Sequence, residues 1–92
     1  MFVVVAYDIS DDKTRTRLYK TLRRFGDRVQ FSVFECILSR EMFEQMSKEV
    51  AVALEHQELW RVRYYEICES CRRLTVTLGQ AFTTTQKRLY VV

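Results

Sequence analysis

The sequence predicts an α+β domain built from one antiparallel sheet and two helices. Two long segments carry apolar side chains at helical spacing, and shorter segments rich in β-branched and aromatic residues flank them. The chain has 92 residues, of which 48% are hydrophobic and 13% aromatic. Because a chain of this length supports only a thin core, we expect a single domain with a further hydrophobic surface besides that core.

The first two elements are a strand and a helix. Residues 2–7 are β-branched and apolar on both faces, which is typical of a central strand. Ser10, Asp11 and Asp12 are all competent N-caps for a helix that runs up to Gly26, its expected left-handed stop. The apolar face of this helix is predicted to contain Leu18, Leu22 and Phe25.

A second strand is predicted at residues 28–38, and a second helix follows at residues 40–55 with Ser39 as its N-cap. Further strands are predicted at residues 59–68, at 74–79 and, after a polar hinge, at 88–92. Two helices on one face of an antiparallel sheet is the ferredoxin-like plan, β-α-β-β-α-β, which needs a hairpin that this pattern does not show. Either the second helix is a crossover between the strands that flank it, or its boundaries are misread.

Such a sheet leaves its second face bare. We expect a second copy of the chain to cover this face in a symmetric dimer, with the tail "KRLYVV" adding a strand to a sheet edge. The alternative is a monomer whose tail folds back on itself. The predicted division is a ferredoxin-like domain at residues 1–82, followed by a hinge and dimer-forming strand at residues 83–92.

Basic residues are concentrated on the first helix. Residues 13–28 contain seven Lys or Arg and one acidic residue, whereas residues 35–58 contain six Glu and two basic residues. Four of the basic side chains fall within about 60° of one another around the helix axis. We call these four the basic stripe: Lys13, Arg17, Lys20 and Arg24. The stripe predicts a polyanion bound to one surface, and the alternative is a solvated helix face.

Asp8 is the strongest candidate for chemistry. It ends the first strand too early to cap the following helix, and a carboxylate at that position can bind a hard cation such as Mg²⁺. Arg15 falls on the apolar side of the helix, where it either packs its stem or offers its guanidinium to a phosphate near Asp8. The only histidine, His56, is predicted to be solvated. Hydrolysis would therefore have to be metal-assisted.

Three cysteines argue against a disulfide-built secreted domain. Cys68 and Cys71 form a single CxxC motif, which supplies half of a tetrahedral zinc site or, less simply, a redox pair. We favour small packing residues beside a turn. The sequence contains neither a signal-peptide pattern nor an apolar run long enough to cross a bilayer, so we expect a cytoplasmic protein without a membrane partner.

The chain resembles one known family from residue 3 to residue 36. The stretch "VVAYDISDDKTRTRLYKTLRRFGDRVQFSVFEC" is similar to the N-terminal signature of CRISPR-associated protein 2. The match consists of "YDI" at the end of the first strand, the acid Asp11, the arginines Arg15 and Arg17, "FG", and "QFSVFE" at the family's spacing. The later "RYYEICESC" and the "LG" at residues 78–79 extend the resemblance over most of the chain.

This resemblance implies a ferredoxin-like, homodimeric protein in which the C-terminal strand crosses to the partner. The segment "SVFECIL" would then contain the break into a second pairing strand. The family likeness also implies that Asp8 of each protomer lies near the dimer axis, where the pair can hold one Mg²⁺ or Mn²⁺ ion. The other positions that match this site are Tyr7, Arg15, Arg17, Arg28, Ser32 and Phe34.

Two functions of different classes follow from the resemblance. One is a metal-dependent endonuclease of CRISPR spacer acquisition, which cleaves single-stranded RNA or duplex DNA. The other is a non-catalytic scaffold that bridges integrase dimers and binds the incoming duplex through the basic stripe, Arg15 and Arg28. A third class, an RNA-recognition module, would use exposed aromatic residues, for which Phe31 and Phe34 are the candidates.

Overall fold

The structure is a computed structural model that describes residues 1–79. Its elements are β1 (Phe2–Ile9), α1 (Asp12–Leu22), β2 (Asp27–Gln30), β3 (Val33–Ile37), α2 (Arg40–Ala53), β4 (Trp60–Ile67) and α3 (Glu69–Arg72). The predicted strand at residues 88–92 and the predicted domain division after residue 82 lie outside the described residues.

The four strands form one sheet in the order β2-β3-β1-β4, and every neighbouring pair is antiparallel. The helices α1 and α2 contact each other and pack on one face of this sheet. The element order β-α-β-β-α-β with β1 in the interior confirms the predicted ferredoxin-like α+β fold.

The prediction of one continuous strand at residues 28–38 was wrong. The chain turns at Phe31 and Ser32 and pairs β2 with β3 as a hairpin, with Asp27 opposite Glu35. Ser32 adopts a left-handed backbone conformation with φ of 69°, although it isn't a glycine. The turn has none of the Gly, Pro or Asn residues that mark most hairpins, so the strand-like alternation continues through it. The break falls at the first residue of "SVFECIL".

Residues 74–79 are not a strand of this sheet. After β4 the chain forms the short helix α3, and between this helix and residue 79 Thr77 alone makes an isolated bridge. The apolar side chains that produced the alternating pattern are exposed: Leu74, Val76 and Leu78. The described fourth strand of the sheet is therefore β4 itself, which matches the strand predicted at residues 59–68.

The core lies between the sheet and the two helices. Alternate residues of β1 face the helices: Val3, Val5, Tyr7 and Ile9. They contact Leu18 and Leu22 of α1, Phe34 of β3, and Met46 and Val50 of α2. The other residues of β1 point to the second face, where Val4 and Ala6 are half-buried and Asp8 is exposed. Residues 2–7 are therefore apolar on both faces, as expected, and Asp8 is the first polar residue on the open face.

Asp11 is the N-cap among the three candidates. Its carboxylate accepts a hydrogen bond from the Thr14 backbone N–H at 2.8 Å. The hydroxyl of Thr14, which is almost fully buried, lies within hydrogen-bonding distance of both Asp11 and the side-chain amide of Gln57. This contact ties the start of α1 to the loop before β4.

Gly26 has a different role from the one predicted. The helix ends at Leu22, and Gly26 does not adopt a positive φ. A Cβ atom at this position would lie 2.3 Å from the Glu35 carbonyl oxygen and 2.5 Å from the Cys36 sulfur. The glycine is therefore required by the close approach of the chain to β3.

We expect Gly26→Ala to lower the free energy of unfolding by about 1–3 kcal/mol, because the backbone of β3 has to move to admit the methyl group. Urea unfolding followed by circular dichroism measures this change. Thr16→Ala, on the exposed side of α1, is the control with little effect. Equal midpoints for the Gly26 variant and the wild type would show that β3 shifts without cost.

Candidate metal and nucleic-acid site

Asp8 lies on the open face of the sheet, close to the C-terminal end of β1. It is exposed and stands opposite Arg61 of β4 in the antiparallel register. A shallow depression of about 400 Å³ surrounds it, lined by Asp8, Ser10, Leu59, Trp60 and Arg61. The carboxylate is thus presented to solvent beside a cationic side chain, and the desolvation cost of a buried acid does not arise in the single chain.

The loop before β4 forms one wall of this depression. Its residues His56 and Leu59 have positive φ angles of 67° and 53°, and Leu59 is 90% exposed. The indole N–H of Trp60 donates to the Gln57 carbonyl oxygen at 2.9 Å, while the Gln57 side chain contacts Thr14. Strained backbone held by such contacts is common at binding sites.

Sequence reasoning missed Trp60, Leu59 and Arg61. Trp60 is 43% exposed, which is unusual for a large aromatic side chain that is also fixed by a hydrogen bond. The available signal was the chain's only tryptophan at the start of a strand. Its proximity to Asp8 depends on the pairing of β1 with β4, which no sequence pattern revealed.

Arg15 occupies the other side of the strand end. Its guanidinium donates to the Ile9 carbonyl oxygen at 2.9 Å and also pairs with Asp12. The same guanidinium lies 5.6 Å from the ring centre of Phe31, which is 72% exposed. Arg15 therefore binds Ile9, the residue that follows Asp8, and also contacts the exposed ring of Phe31.

Three of the predicted supporting residues stabilise the strand end from the core side. The Tyr7 backbone N–H donates to the Ser32 carbonyl oxygen at 3.1 Å, which joins β1 to the hairpin turn. The Tyr7 ring is buried, with its centre 6.4 Å from that of Phe34. Burial raises the pKa of Tyr7, and the charges of Arg28 and Arg15 oppose that rise. Phe34 is fully buried, so the idea that it could be an exposed aromatic was wrong.

The basic stripe lies on α1, in the helix layer, whereas Arg28 lies on β2. All four stripe residues are exposed. Arg17 donates to the Ala53 carbonyl oxygen at the end of α2 at 3.0 Å, and Arg24 pairs with Glu49, whose pKa is lowered by Gln45 and by this arginine. Half of the stripe thus also contacts α2. The Arg28 guanidinium lies 4.8 Å from the ring centre of Tyr19.

The open face of the sheet combines apolar side chains with one unusual acid. Ile37 is 52% exposed and Tyr65 46% exposed, and Val4 lies opposite both Glu35 and Tyr65 in the register. Glu35 is half-buried, and this burial raises the pKa of its carboxyl, while the charge of Arg72 partly offsets the shift.

Asp8 is the metal-binding candidate in one chain, but it is a single donor. Residues 1–79 contain no cluster of three or more His, Cys, Asp or Glu side chains that could hold a metal ion. A hard cation takes one or two carboxylates together with phosphate oxygens and water, so Asp8 fits such an ion only as a part of a larger set. Within the described range, no helix is long and apolar enough to cross a membrane.

The cysteines divide into two environments. Cys36 is fully buried, and burial raises its pKa to about 11, as suits a packing residue. Cys68 and Cys71 are exposed, so the expectation that they pack beside the turn was wrong for this pair.

One protein family matches most of this chain. A family model described as "CRISPR associated protein Cas2" matches residues 1–74. The "CRISPR-associated endoribonuclease Cas2 3" of Chloroflexus aurantiacus is 37% identical over 92 residues, which covers 100% of this chain and 98% of the relative.

Two solved structures are similar in fold. The first is that of Cas2 from Streptococcus pyogenes at pH 6.5, with 27% identity and a TM-score of 0.74 over 86% of this chain and 100% of the other. The second is a chain of a "Partial Cas6-RT-Cas1--Cas2 complex", with 25% identity and a TM-score of 0.70 over 78% of each chain.

The raised pKa of Glu35 predicts a pH-dependent stability. The stability that a raised carboxyl pKa contributes is present below the ordinary value of 4.5 and is lost as pH rises through the folded-state pKa. We expect Glu35→Gln to raise Tm by a few degrees at neutral pH and to match the wild type in acid. Thermal unfolding from pH 4 to pH 7 measures this, with Glu41→Gln, exposed on α2, as the control. A constant difference across that range would contradict the assignment.

Proposed function

The chain belongs to the CRISPR-associated protein Cas2 family, and from this premise we propose that it acts in CRISPR adaptation as a homodimeric, metal-dependent endonuclease. The observation that carries the proposal is the exposed Asp8 carboxylate in a depression shared with Arg61 and Trp60. The name "endoribonuclease" of the Chloroflexus aurantiacus relative supports nucleic-acid cleavage.

The open face of the sheet supports the homodimer. Its apolar side chains, including Ile37 and Tyr65, are exposed in the single chain, and their burial against a second copy would remove apolar surface from water. Face-to-face packing about a two-fold axis repeats every contact and can bring Asp8 next to Asp8 of the partner subunit. Two carboxylates form a more complete donor set for Mg²⁺ or Mn²⁺ than one.

The residues around Asp8 have separate roles in this proposal. Asp8 holds the ion, which when bound lowers the pKa of a coordinated water and neutralises charge on a phosphate. Arg61 stands opposite Asp8 and is placed to attract the phosphate backbone. Arg15 fixes the carbonyl of Ile9 and so keeps the end of β1 in position.

The exposed aromatic residues favour a single-stranded substrate. Trp60 lies in the wall of the depression, and Phe31 lies at the hairpin turn joined to the same strand end. Unpaired bases stack on such rings, whereas the bases of a duplex are already stacked within the helix. We therefore propose single-stranded RNA, in keeping with the relative's name, as the substrate class.

The scaffold remains the second candidate, because one similar chain comes from a complex whose name includes Cas1 as well as Cas2. In that function the chain would contact an integrase subunit and bind duplex DNA through the exposed side of α1. Lys13 and Lys20 are exposed there, while Arg17 and Arg24 also contact α2. A protein in the cytoplasm, where both nucleic acids occur, suits either function.

We expect Asp8→Asn to lower the rate of metal-dependent cleavage by at least about 100-fold, because the amide removes the charge that holds the ion. The measurement is cleavage of a labelled single-stranded RNA and of duplex DNA with Mg²⁺ or Mn²⁺. Glu44→Gln, which also turns an exposed carboxylate into an amide but lies on α2, is the control.

Equal rates for Asp8→Asn and the wild type would remove the catalytic role of Asp8. Spacer acquisition in cells that survives the substitution, with cleavage lost, would favour the scaffold. A mass measurement that gives a monomer at micromolar concentration would exclude an ion held between the Asp8 side chains of two subunits.

Stacking on Trp60 is measurable without cleavage, because it is the only tryptophan of the chain. We expect a single-stranded oligonucleotide to quench its fluorescence in EDTA, while the matching duplex has little effect. Trp60→Leu should weaken single-strand binding about 10-fold, measured by anisotropy of a labelled strand, and Trp60→Phe should retain most of it. Unchanged affinity of the Leu variant would contradict stacking while leaving the role of Asp8 intact.

A further inference from the structure

The exposed pair Cys68 and Cys71 plays no part in the function proposed above. The two residues begin and end one turn of chain directly after β4, and both side chains are exposed. The two residues lie three positions apart at the start of α3, and the Ser70 hydroxyl lies 3.8 Å from the Cys68 sulfur. Side chains at this spacing are neighbours on one side of a helical turn, so the two thiols lie on the same side of the chain.

The two thiols differ in acidity. The backbone N–H and thiol of Cys71, together with the Ser70 hydroxyl, lower the pKa of Cys68. The pKa of Cys71 is raised by its interaction with Cys68, including the charge of that neighbour. An attacking thiol beside a resolving thiol has this asymmetry.

We propose that Cys68 and Cys71 form a reversible redox site, in which an intramolecular disulfide forms by exchange with a low-molecular-weight disulfide. The inference rests on the position of the two exposed thiols in the one turn that opens α3 directly after β4. Cys36 is buried among Val3, Phe34 and Met46 and takes no part. The pair is thus chemically separated from the third cysteine of the same chain.

The exchange runs in two balanced steps. The Cys68 thiolate attacks one sulfur of the small disulfide, whose S–S bond breaks and releases one thiolate, leaving a mixed disulfide on Cys68. Cys71 then loses its proton and attacks the Cys68 sulfur, which releases the second small thiolate. The two protein thiols are oxidised, one small disulfide is reduced to two thiols, and the two protons pass to these thiols.

The disulfide would close the turn directly before Arg72. The guanidinium of Arg72 lies 5.6 Å from the ring centre of Phe2, and its charge partly offsets the rise in the pKa of Glu35 that burial causes. The pair therefore lies next to the contact between α3 and Phe2 of β1.

The test uses the full chain with oxidised glutathione, followed by intact mass and free-thiol titration. We expect the wild type to lose two thiols and two hydrogen atoms of mass while Cys36 stays reduced, and dithiothreitol should restore both thiols. Cys71→Ser should accumulate one glutathione on Cys68, and Cys68→Ser should react at least about 10-fold more slowly. Ser70→Ala, which keeps both thiols, should still form the disulfide.

Either of two results would overturn the proposal. One is a wild type that retains glutathione on both cysteines without an internal disulfide. The other is an equal rate for the two serine variants, which would show that neither thiol is activated by its neighbour. A disulfide between chains, seen as a doubled mass without reductant, would also contradict an intramolecular site.

Discussion

Strand β1 separates two environments, and the rest of the structure depends on the register that results. Its alternate residues Val3 and Val5 are fully buried against the helices, while the residues between them face the open side of the sheet. Because side chains alternate with a period of two, a shift of one residue would bury Asp8 and expose the valines. The burial of two small apolar side chains thus fixes the position of the candidate catalytic carboxylate.

The start of α1 connects this core to the candidate site. Arg15 binds the carbonyl of Ile9 on one side of the strand end, and Thr14 contacts the Gln57 side chain on the other. Gln57 in turn accepts the indole N–H of Trp60. One turn of helix therefore holds the end of β1 on one side and the loop before β4 on the other, so the site is built on rigid elements.

The two candidate functions use opposite surfaces of the domain. Asp8 and its depression lie at the open face of the sheet, whereas the basic stripe lies on the helix layer. Cleavage at one face and duplex binding at the other do not compete for the same residues. The contacts of Arg17 and Arg24 with α2 show that half of the basic stripe also joins the two helices.

The sequence alone determined the fold class, the two helices, Asp11 and Ser39 as competent caps, and Asp8 as an acid that caps nothing, because periodicity and capping are local properties. The hairpin at Phe31 and Ser32 escaped it, since that turn lacks the usual residues and depends on pairing with β1. Trp60 lies near Asp8 only because β4 pairs with β1, and Cys68 and Cys71 are both exposed because α3 lies outside the core. Tertiary structure decided these neighbours, because contacts between distant segments leave no local pattern in the chain.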